Sequence, residues 1–249
     1  MINIVIPMAG LGSRFAQAGY QKPKPFIDVA GKPMIVRVLE NLACPQARFL
    51  LVARKEHMDA EVALVRRIEQ DFNATFIALD QLTEGTVCTV LFARNFINND
   101  QPLLIANSDQ IIDCSIEKFI GDSEERGLDG SILTFIDAEK NPKWSFARID
   151  AEGIVQEVQE KKVISEYATV GIYYYQKGSH FVNAAVDMMV RGDRVNNEFY
   201  TCPTYNYAIQ NGLKIGIFNI DSSQMHGIGT PDDLNAYLAD NFGCQDASQ

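Results

Sequence analysis

Several stretches of this 249-residue chain combine residue types that could do chemistry. The run Pro7-Met8-Ala9-Gly10-Leu11-Gly12-Ser13-Arg14-Phe15 follows an apolar segment and has the composition of a glycine-rich strand-to-helix turn. In such a turn the N–H groups of Leu11 to Ser13 could cradle phosphate oxygens and Arg14 could neutralise them. A dinucleotide fingerprint would need a third glycine where Phe15 stands, and a Walker A loop would need its Gly-Lys-Ser/Thr; neither is present. An ordinary tight turn is the competing reading. Lys22-Pro23-Lys24-Pro25-Phe26 follows, then Ala30-Gly31-Lys32-Pro33-Met34. Prolines on both sides of Lys24 disfavour a helix and predict an extended segment that presents the lysine, with a solvated basic loop as the alternative. Asn107-Ser108-Asp109 offers a hard carboxylate after an apolar run, whereas His57, His180 and His226 form no recognisable motif. Residues 1–32 set Arg14, Lys22, Lys24 and Lys32 against Asp28 alone, a net +3 within a chain of net charge −10. A basic cluster on an acidic chain points to a small anionic ligand and against general nucleic-acid binding.

The elements that must position these residues alternate in the first half. Ile2 to Pro7 reads as a buried strand, Met34 to Leu42 as an amphipathic helix, Phe49 to Ala53 as a strand and Glu56 to Asp71 as a helix. Thr75 to Leu79, Thr86 to Arg94, Leu103 to Ala106 and Ile116 to Arg126 continue as strand, helix, strand and helix. Such alternation implies an α/β fold built of βαβ units, with ligands outside the carboxyl ends of a mostly parallel sheet. The second half changes character, with strands at Ser131 to Ile136, Ser145 to Ile149, Ile154 to Val158 and Thr169 to Tyr175. Helices at Phe181 to Met189 and Tyr205 to Gln210 and a strand at Lys214 to Ile220 come next. A last helix is announced by Thr230 as N-cap and Pro231 at its first position.

Composition sets the outer limits. With 47% apolar and 22% charged residues the chain can bury a sizeable core, and no run approaches a bilayer span. The start lacks a basic leader pattern, and Cys44, Cys88, Cys114, Cys202 and Cys244 are odd in number and form no CxxC pair. Buried reduced thiols and a cytoplasmic protein are the expectation.

The spacing of the Gly10–Arg14 turn, Lys24 and the Gly31-Lys32-Pro33-Met34 turn resembles the signature of the sugar-1-phosphate nucleotidylyltransferases, the NDP-sugar pyrophosphorylase superfamily. Gly10, Gly12, Ser13 and Arg14 match its G-x-G-[ST]-R loop. Counting back from Lys32 puts Lys24, rather than Lys22, at its catalytic lysine. Gln81-Leu82-Thr83-Glu84-Gly85-Thr86 looks like the base-reading segment, and Asn107-Ser108-Asp109 is similar to the metal-binding element. Glu157 to Lys161, Thr169 to Tyr173 and His226 to Pro231 resemble the acceptor-holding E-K segment, the strand after it, and the D-x-G-T-P ending. The likeness runs from residue 1 to about residue 240. It implies a Rossmann-like (GT-A-like) sheet flanked by helices, with a mixed β acceptor-binding region in the second half. Residues 1–240 would form one domain, 1–127 serving the nucleotide and 128–240 the acceptor, followed by a frayed tail at 241–249.

The resemblance also implies a reaction, in which a sugar-1-phosphate attacks the α-phosphorus of an NTP and pyrophosphate leaves. The nucleophile arrives with the substrate, so the protein supplies positioning and charge. Arg14 would hold the pyrophosphate, and Lys24 the α-phosphate and incoming phosphate. Ala9, Gly10, Leu11, Gly12, Ser13, Gln81, Gly85 and Thr86 would bind the nucleotide, and Glu160, Lys161, Thr169, Gly171 and Asn197 the acceptor. Mg²⁺ would sit on Asp109. The chain has Gly227 and Gly229 where relatives place a second carboxylate, which leaves Asp221 as the nearest substitute in sequence. His226 is expected to pack against the pocket wall or contact phosphate, Trp144 to pack near the pocket rim, and Asn197 with its neighbours either to line the acceptor pocket or to cap a helix. The implied partners are an NTP and a phosphorylated small-molecule acceptor, with a homo-oligomer allowed and neither nucleic acid nor membrane. A capsule-pathway cytidylyltransferase using CTP and a phosphorylated non-hexose acceptor is the alternative within the class, and a GT-A-type glycosyltransferase the alternative outside it.

Overall fold

The computed structural model describes residues 1–243. Its spine is β1 (Ile2–Met8), whose side chains divide between two hydrophobic layers. Ile2, Ile4, Ile6 and Met8 face one layer and Val5 the other. A strand buried on both faces needs apolar residues at both parities, which is why this run does not alternate. The glycine-rich turn leads into α1 (Ser13–Gln17), and Asp28–Val29 (β2) pairs with Lys32–Pro33 (β3) in a two-residue hairpin before α2 (Met34–Leu42). β4 (Ala47–Arg54) lies parallel to β1, and β5 (Ala74–Leu79) parallel to β4.

One expected helix is broken in two, and another ends early and is followed by a further short helix. The segment after β4 forms α3 (Lys55–Ala60) and α4 (Val62–Asp71), because α3 starts directly at the end of β4 and buries His57. The backbone then turns at Glu61, φ −130°, to lay Val65 and Ile68 on the core. The segment from Thr86 forms α5 (Thr86–Leu91) and α6 (Arg94–Ile97). The Ala93 N–H donates to the Val90 carbonyl at 2.9 Å, a tightened final turn that changes the direction of the chain.

β6 (Leu103–Ala106) returns parallel to β1 on its other side, and the short β7 (Gln110–Ile112) leaves the sheet. After α7 (Ile116–Glu125), with Ser115 as its N-cap, come β8 (Gly130–Ile136), β9 (Phe146–Ile149), β10 (Val155–Gln159) and β11 (Tyr167–Tyr175). β11 runs antiparallel to β6 and joins the later strands to the same sheet, in the order β10-β9-β11-β6-β1-β4-β5. α8 (Gly178–Val190) and α9 (Thr204–Gln210) precede β12 (Ile215–Ile220), which pairs in parallel with β8. β13 (Met225–Gly227) pairs with β7, and α10 (Pro231–Phe242) closes the chain with Thr230 accepting the Asp233 N–H as its N-cap. The parallel α/β frame flanked by helices and the mixed later strands agree with the expectation. Asn241 and Phe242 belong to α10 rather than to a frayed tail, and the rest of that tail, with Cys244, lies largely outside the described residues. Cys44, Cys88, Cys114 and Cys202 are free thiols. Among the described residues no helix is long and apolar enough to cross a membrane.

Candidate active site

The carboxyl ends of β1 and β6, adjacent and parallel, open into a cleft of about 410 Å³. From β1 come Gly10, Gly12, Ser13 and Arg14, and from β6 come Asn107, Ser108 and Asp109. Gly12 is left-handed (φ 61°), and a Cβ there would lie 2.9 Å from the Lys24 Cβ. The turn therefore needs glycine twice over, for its backbone and for the approach of Lys24. Lys24 itself opens a one-turn 3₁₀ helix, Lys24–Phe26, with Pro25 in its first turn. This corrects the extended segment expected from the prolines, since Pro25 is compatible with a helical start and only Pro23 (ψ 141°) is extended.

The Lys24 Nζ donates to the Asp109 Oδ2 within the cleft. The loop after β13 presses on this pair. The Ile228 N–H donates to the Asp109 carbonyl at 2.9 Å, and a Cβ on Gly229 would lie 2.5 Å from Asp109 Oδ2. Gly227 faces open space, and a side chain there would meet no atom within 4 Å. Thr86, at the start of α5, completes the cleft wall, while Arg14 is exposed at its lip. Asp109 is the one carboxylate among the lining residues, with the Ser108 hydroxyl and the Asn107 amide beside it. Among the described residues no cluster of three His, Cys, Asp or Glu side chains could hold a metal by itself. A single hard carboxylate still suits an oxygen-loving cation that completes its shell with water and substrate phosphates.

A second polar group lies on the later strands. The β11–β8 register slips between Thr169 and Tyr173, and within that bulge Gly171 turns its carbonyl to the Asn107 N–H at 3.1 Å. Glu160 accepts from the Ser145 hydroxyl, and burial raises its carboxyl above the ordinary range despite that bond. The Thr169 N–H donates to the Ser145 carbonyl at 2.8 Å, and the Thr169 hydroxyl meets the Tyr173 hydroxyl at 3.2 Å. Burial also pushes the Tyr173 phenol and the Cys202 thiol well up, so neither ionises near neutrality. Lys161 donates to the Tyr200 hydroxyl at 2.7 Å.

The cleft thus gathers Gly10, Gly12, Ser13, Arg14, Lys24, Thr86 and Asp109 of the residues singled out in sequence. Ala9, Leu11 and Gly85 are their chain neighbours. Gln81 and the group Glu160, Lys161, Thr169, Gly171 and Asn197 lie outside the cleft lining. Asn197, with Asn196, forms a left-handed turn (φ 64° and 50°) and caps no helix. Asp221 caps the short 3₁₀ helix Ser222–Gln224 through the Ser223 N–H at 2.8 Å and does not line the cleft. His226 pairs with Asp113 at 2.8 Å, packs on Tyr237 and does not line the cleft. Trp144 packs edge-on against Phe135 with ring centroids 5.4 Å apart. Met8 and Pro25 line the cleft but carry no side-chain signal that would single them out in sequence, whereas Asn107 and Gly229, also in the lining, stand out there only within their motifs.

The frame and the cleft define a class: α/β proteins whose ligand cleft opens at a glycine-rich turn beyond the carboxyl ends of a parallel sheet. Within it, the chain belongs to the nucleotidyl transferase family, whose model matches residues 4–233. A curated relative, the mannose-1-phosphate guanylyltransferase catalytic subunit beta of Drosophila pseudoobscura pseudoobscura, is 25% identical over 179 residues. That match covers 69% of this chain and 47% of the relative. The chain spans about half the length of the curated relatives it matches. The structure of a nucleoside-diphosphate-sugar pyrophosphorylase from Vibrio cholerae RC9 superposes with a TM-score of 0.80 at 25% identity, covering 94% of this chain and 99% of that one. An inositol-1-phosphate CTP transferase from T. maritima shares the fold, with a TM-score of 0.73 at 14% identity over 96% of this chain and 93% of that one.

Proposed function

We propose that this chain transfers NMP from an NTP to a sugar-1-phosphate and releases pyrophosphate. The observation that carries the reading is the convergence of the Gly10–Arg14 turn, Lys24 and Asp109 on one cleft. It is supported by family membership and by the activities of the guanylyltransferase and pyrophosphorylase relatives. An oxygen of the acceptor phosphate forms a bond to the α-phosphorus, the bond from that phosphorus to the bridging oxygen breaks, and the electron pair leaves with pyrophosphate. Backbone N–H groups of the turn and the Arg14 fork hold the departing phosphates and stabilise the negative charge they gain as the electron pair leaves with them. Lys24 leaves Asp109 for the α-phosphate and the incoming phosphate, and so holds two anions in line for attack. Mg²⁺ held by Asp109, with substrate oxygens and water completing its shell, would neutralise charge on the α-phosphate. Glu160, Lys161, Thr169, Gly171 and Asn197 form the acceptor end, and Gln81, Gly85 and Thr86 the base end. The product serves glycan or capsule precursor synthesis, and both substrates are metabolites of the cytoplasm, where we assign the protein.

The test is a matrix of ATP, CTP, GTP, UTP and dTTP against sugar-1-phosphates and phosphorylated alcohols, with Mg²⁺ and a pyrophosphate readout. Release with one NTP and a sugar-1-phosphate is expected. Release only with CTP and a non-hexose acceptor would replace the acceptor class, and transfer from an NDP-sugar without pyrophosphate would overturn the reading.

A further inference from the structure

Of residues 194–201 only Asn197 has a role in the reaction as drawn, yet the segment touches both of its ends. Val195 and Glu198 exchange backbone hydrogen bonds at 3.0 and 2.9 Å across the Asn196–Asn197 turn. Asparagine tolerates the left-handed backbone that such a tight turn demands. Beyond the turn the chain lies along the segment that starts α5. The Phe199 N–H donates to the Glu84 carbonyl at 2.8 Å, and the Val87 N–H to the Phe199 carbonyl at 3.0 Å. The approach is close enough that a Cβ on Gly85 would sit 2.5 Å from the Phe199 backbone. Arg194 pairs with Glu84 at 2.6 Å and stacks on Phe199 at 4.2 Å. Thr201 donates to the Thr86 hydroxyl from its N–H at 3.1 Å and from its own hydroxyl at 3.0 Å, and Thr86 lines the cleft. Tyr200 takes the Lys161 ammonium on its hydroxyl and over its ring at 4.5 Å. Adjacent residues of one segment are therefore tied to opposite ends of the site.

We propose that Glu198–Thr201 is a clasp coupling the two substrates, with Thr201 a positioning residue for Thr86 and Tyr200 a positioning residue for Lys161. The proposal rests on the reading of Thr86 as nucleotide end and Lys161 as acceptor end. Thr86 has its hydroxyl fixed from behind by two donors, so the face it presents to the cleft is set by Thr201. Lys161 is a long cation whose direction is set by the phenol. A substrate that orders one end of the clasp orders the other, and each ligand raises the affinity for its partner by a common factor.

Steady-state kinetics test this with the NTP and sugar-1-phosphate that give the fastest pyrophosphate release, in wild type, Tyr200→Phe, Thr201→Val, Thr201→Ser and the Tyr200→Phe/Thr201→Val double variant. With the second substrate kept far below its own KM, Tyr200→Phe should raise the acceptor KM by about fivefold, the worth of one hydrogen bond, with the NTP KM unchanged. Thr201→Val should do the reverse, and Thr201→Ser should restore wild-type behaviour. The drop in acceptor KM between low and saturating NTP, expected in wild type, should vanish in the double variant. Equal effects of each single variant on both KM values, or an intact coupling in the double variant, would overturn the clasp. Glu160→Gln and Lys161→Ala separate the two levels. If they raise the acceptor KM while Tyr200→Phe does not, the clasp alone falls. If they leave it unchanged, the acceptor end is misassigned and the clasp falls with it.

Discussion

Lys24 and Lys22 stand two positions apart but face different partners. Lys24 reaches Asp109 inside the cleft, whereas Lys22 is exposed with Glu61 at 3.8 Å. Lys24→Ala should therefore lower kcat by roughly 10²–10³-fold, the usual cost of one preorganised donor at a developing charge. Lys22→Ala should stay near wild type, because exposed pairs contribute little. A crippled Lys22→Ala beside a mild Lys24→Ala, in the same pyrophosphate assay, would reverse the assignment. Glu160 makes a pH prediction at the same scale. Burial outweighs the Ser145 hydrogen bond and raises its carboxyl, and on the proposed role the ionised form receives the acceptor hydroxyls. The acceptor kcat/KM should then rise with pH through that raised midpoint. Ser145→Ala removes the donor that favours the carboxylate, so the midpoint should move further up, measured by a pH profile of kcat/KM. Stability runs the opposite way. What the raised carboxyl contributes is present below its unfolded pKa and lost as pH rises through the folded value, a dependence that Glu160→Gln should abolish.

The elements that hold these residues differ in how plainly their sequence declares them. Strands β1, β4 and β6 carry long apolar runs, and the turn after β1 carries its glycines, so the frame and the glycine-rich half of the cleft were legible. The breaks at Glu61 and Ala93 were not, because neither has a glycine or proline to mark it and each is imposed by the packing of its neighbours. The Lys24 helix was misread because two prolines look like an extended stretch until the second is seen to start a turn. Thr201 gave no signal, since its bond to Thr86 joins positions 115 residues apart. Gly85 was legible only as part of a motif, and the structure supplies its physical reason in a φ of +122° with the Phe199 backbone against it. Gly85→Ala should thus separate α5 from the clasp and destabilise the fold by more than about 1 kcal/mol, a larger penalty than a helix-compatible Gly→Ala, which is usually stabilising. Urea denaturation measures it, and an unchanged midpoint would mean that the segments can part without cost.

At the scale of the molecule, one sheet runs from β5 through β1 and β6 to β11 and on to β9 and β10, so the first and second halves of the chain are not carried on separate frames. Two hydrophobic layers follow the sheet across this boundary, one joining Leu50 and Val87 to Tyr175 and Tyr205, the other joining Ile6 and Leu51 to Phe135 and Tyr174. Unfolding residues 1–127 would expose the faces on which residues 128–240 rest, so the chain should melt in a single cooperative transition. A ligand bound only by the folded state shifts that transition by mass action. With NTP and Mg²⁺ at about 100 times Kd the gain is about 2.7 kcal/mol, or roughly 5–10 °C for a chain of this size. Scanning calorimetry should show the whole peak moving together, and less far in Arg14→Ala at the same concentrations because the phosphates lose their fork. Two separate peaks, with only one displaced by NTP, would show that residues 1–127 and 128–240 unfold as independent units and that the continuous sheet does not couple them.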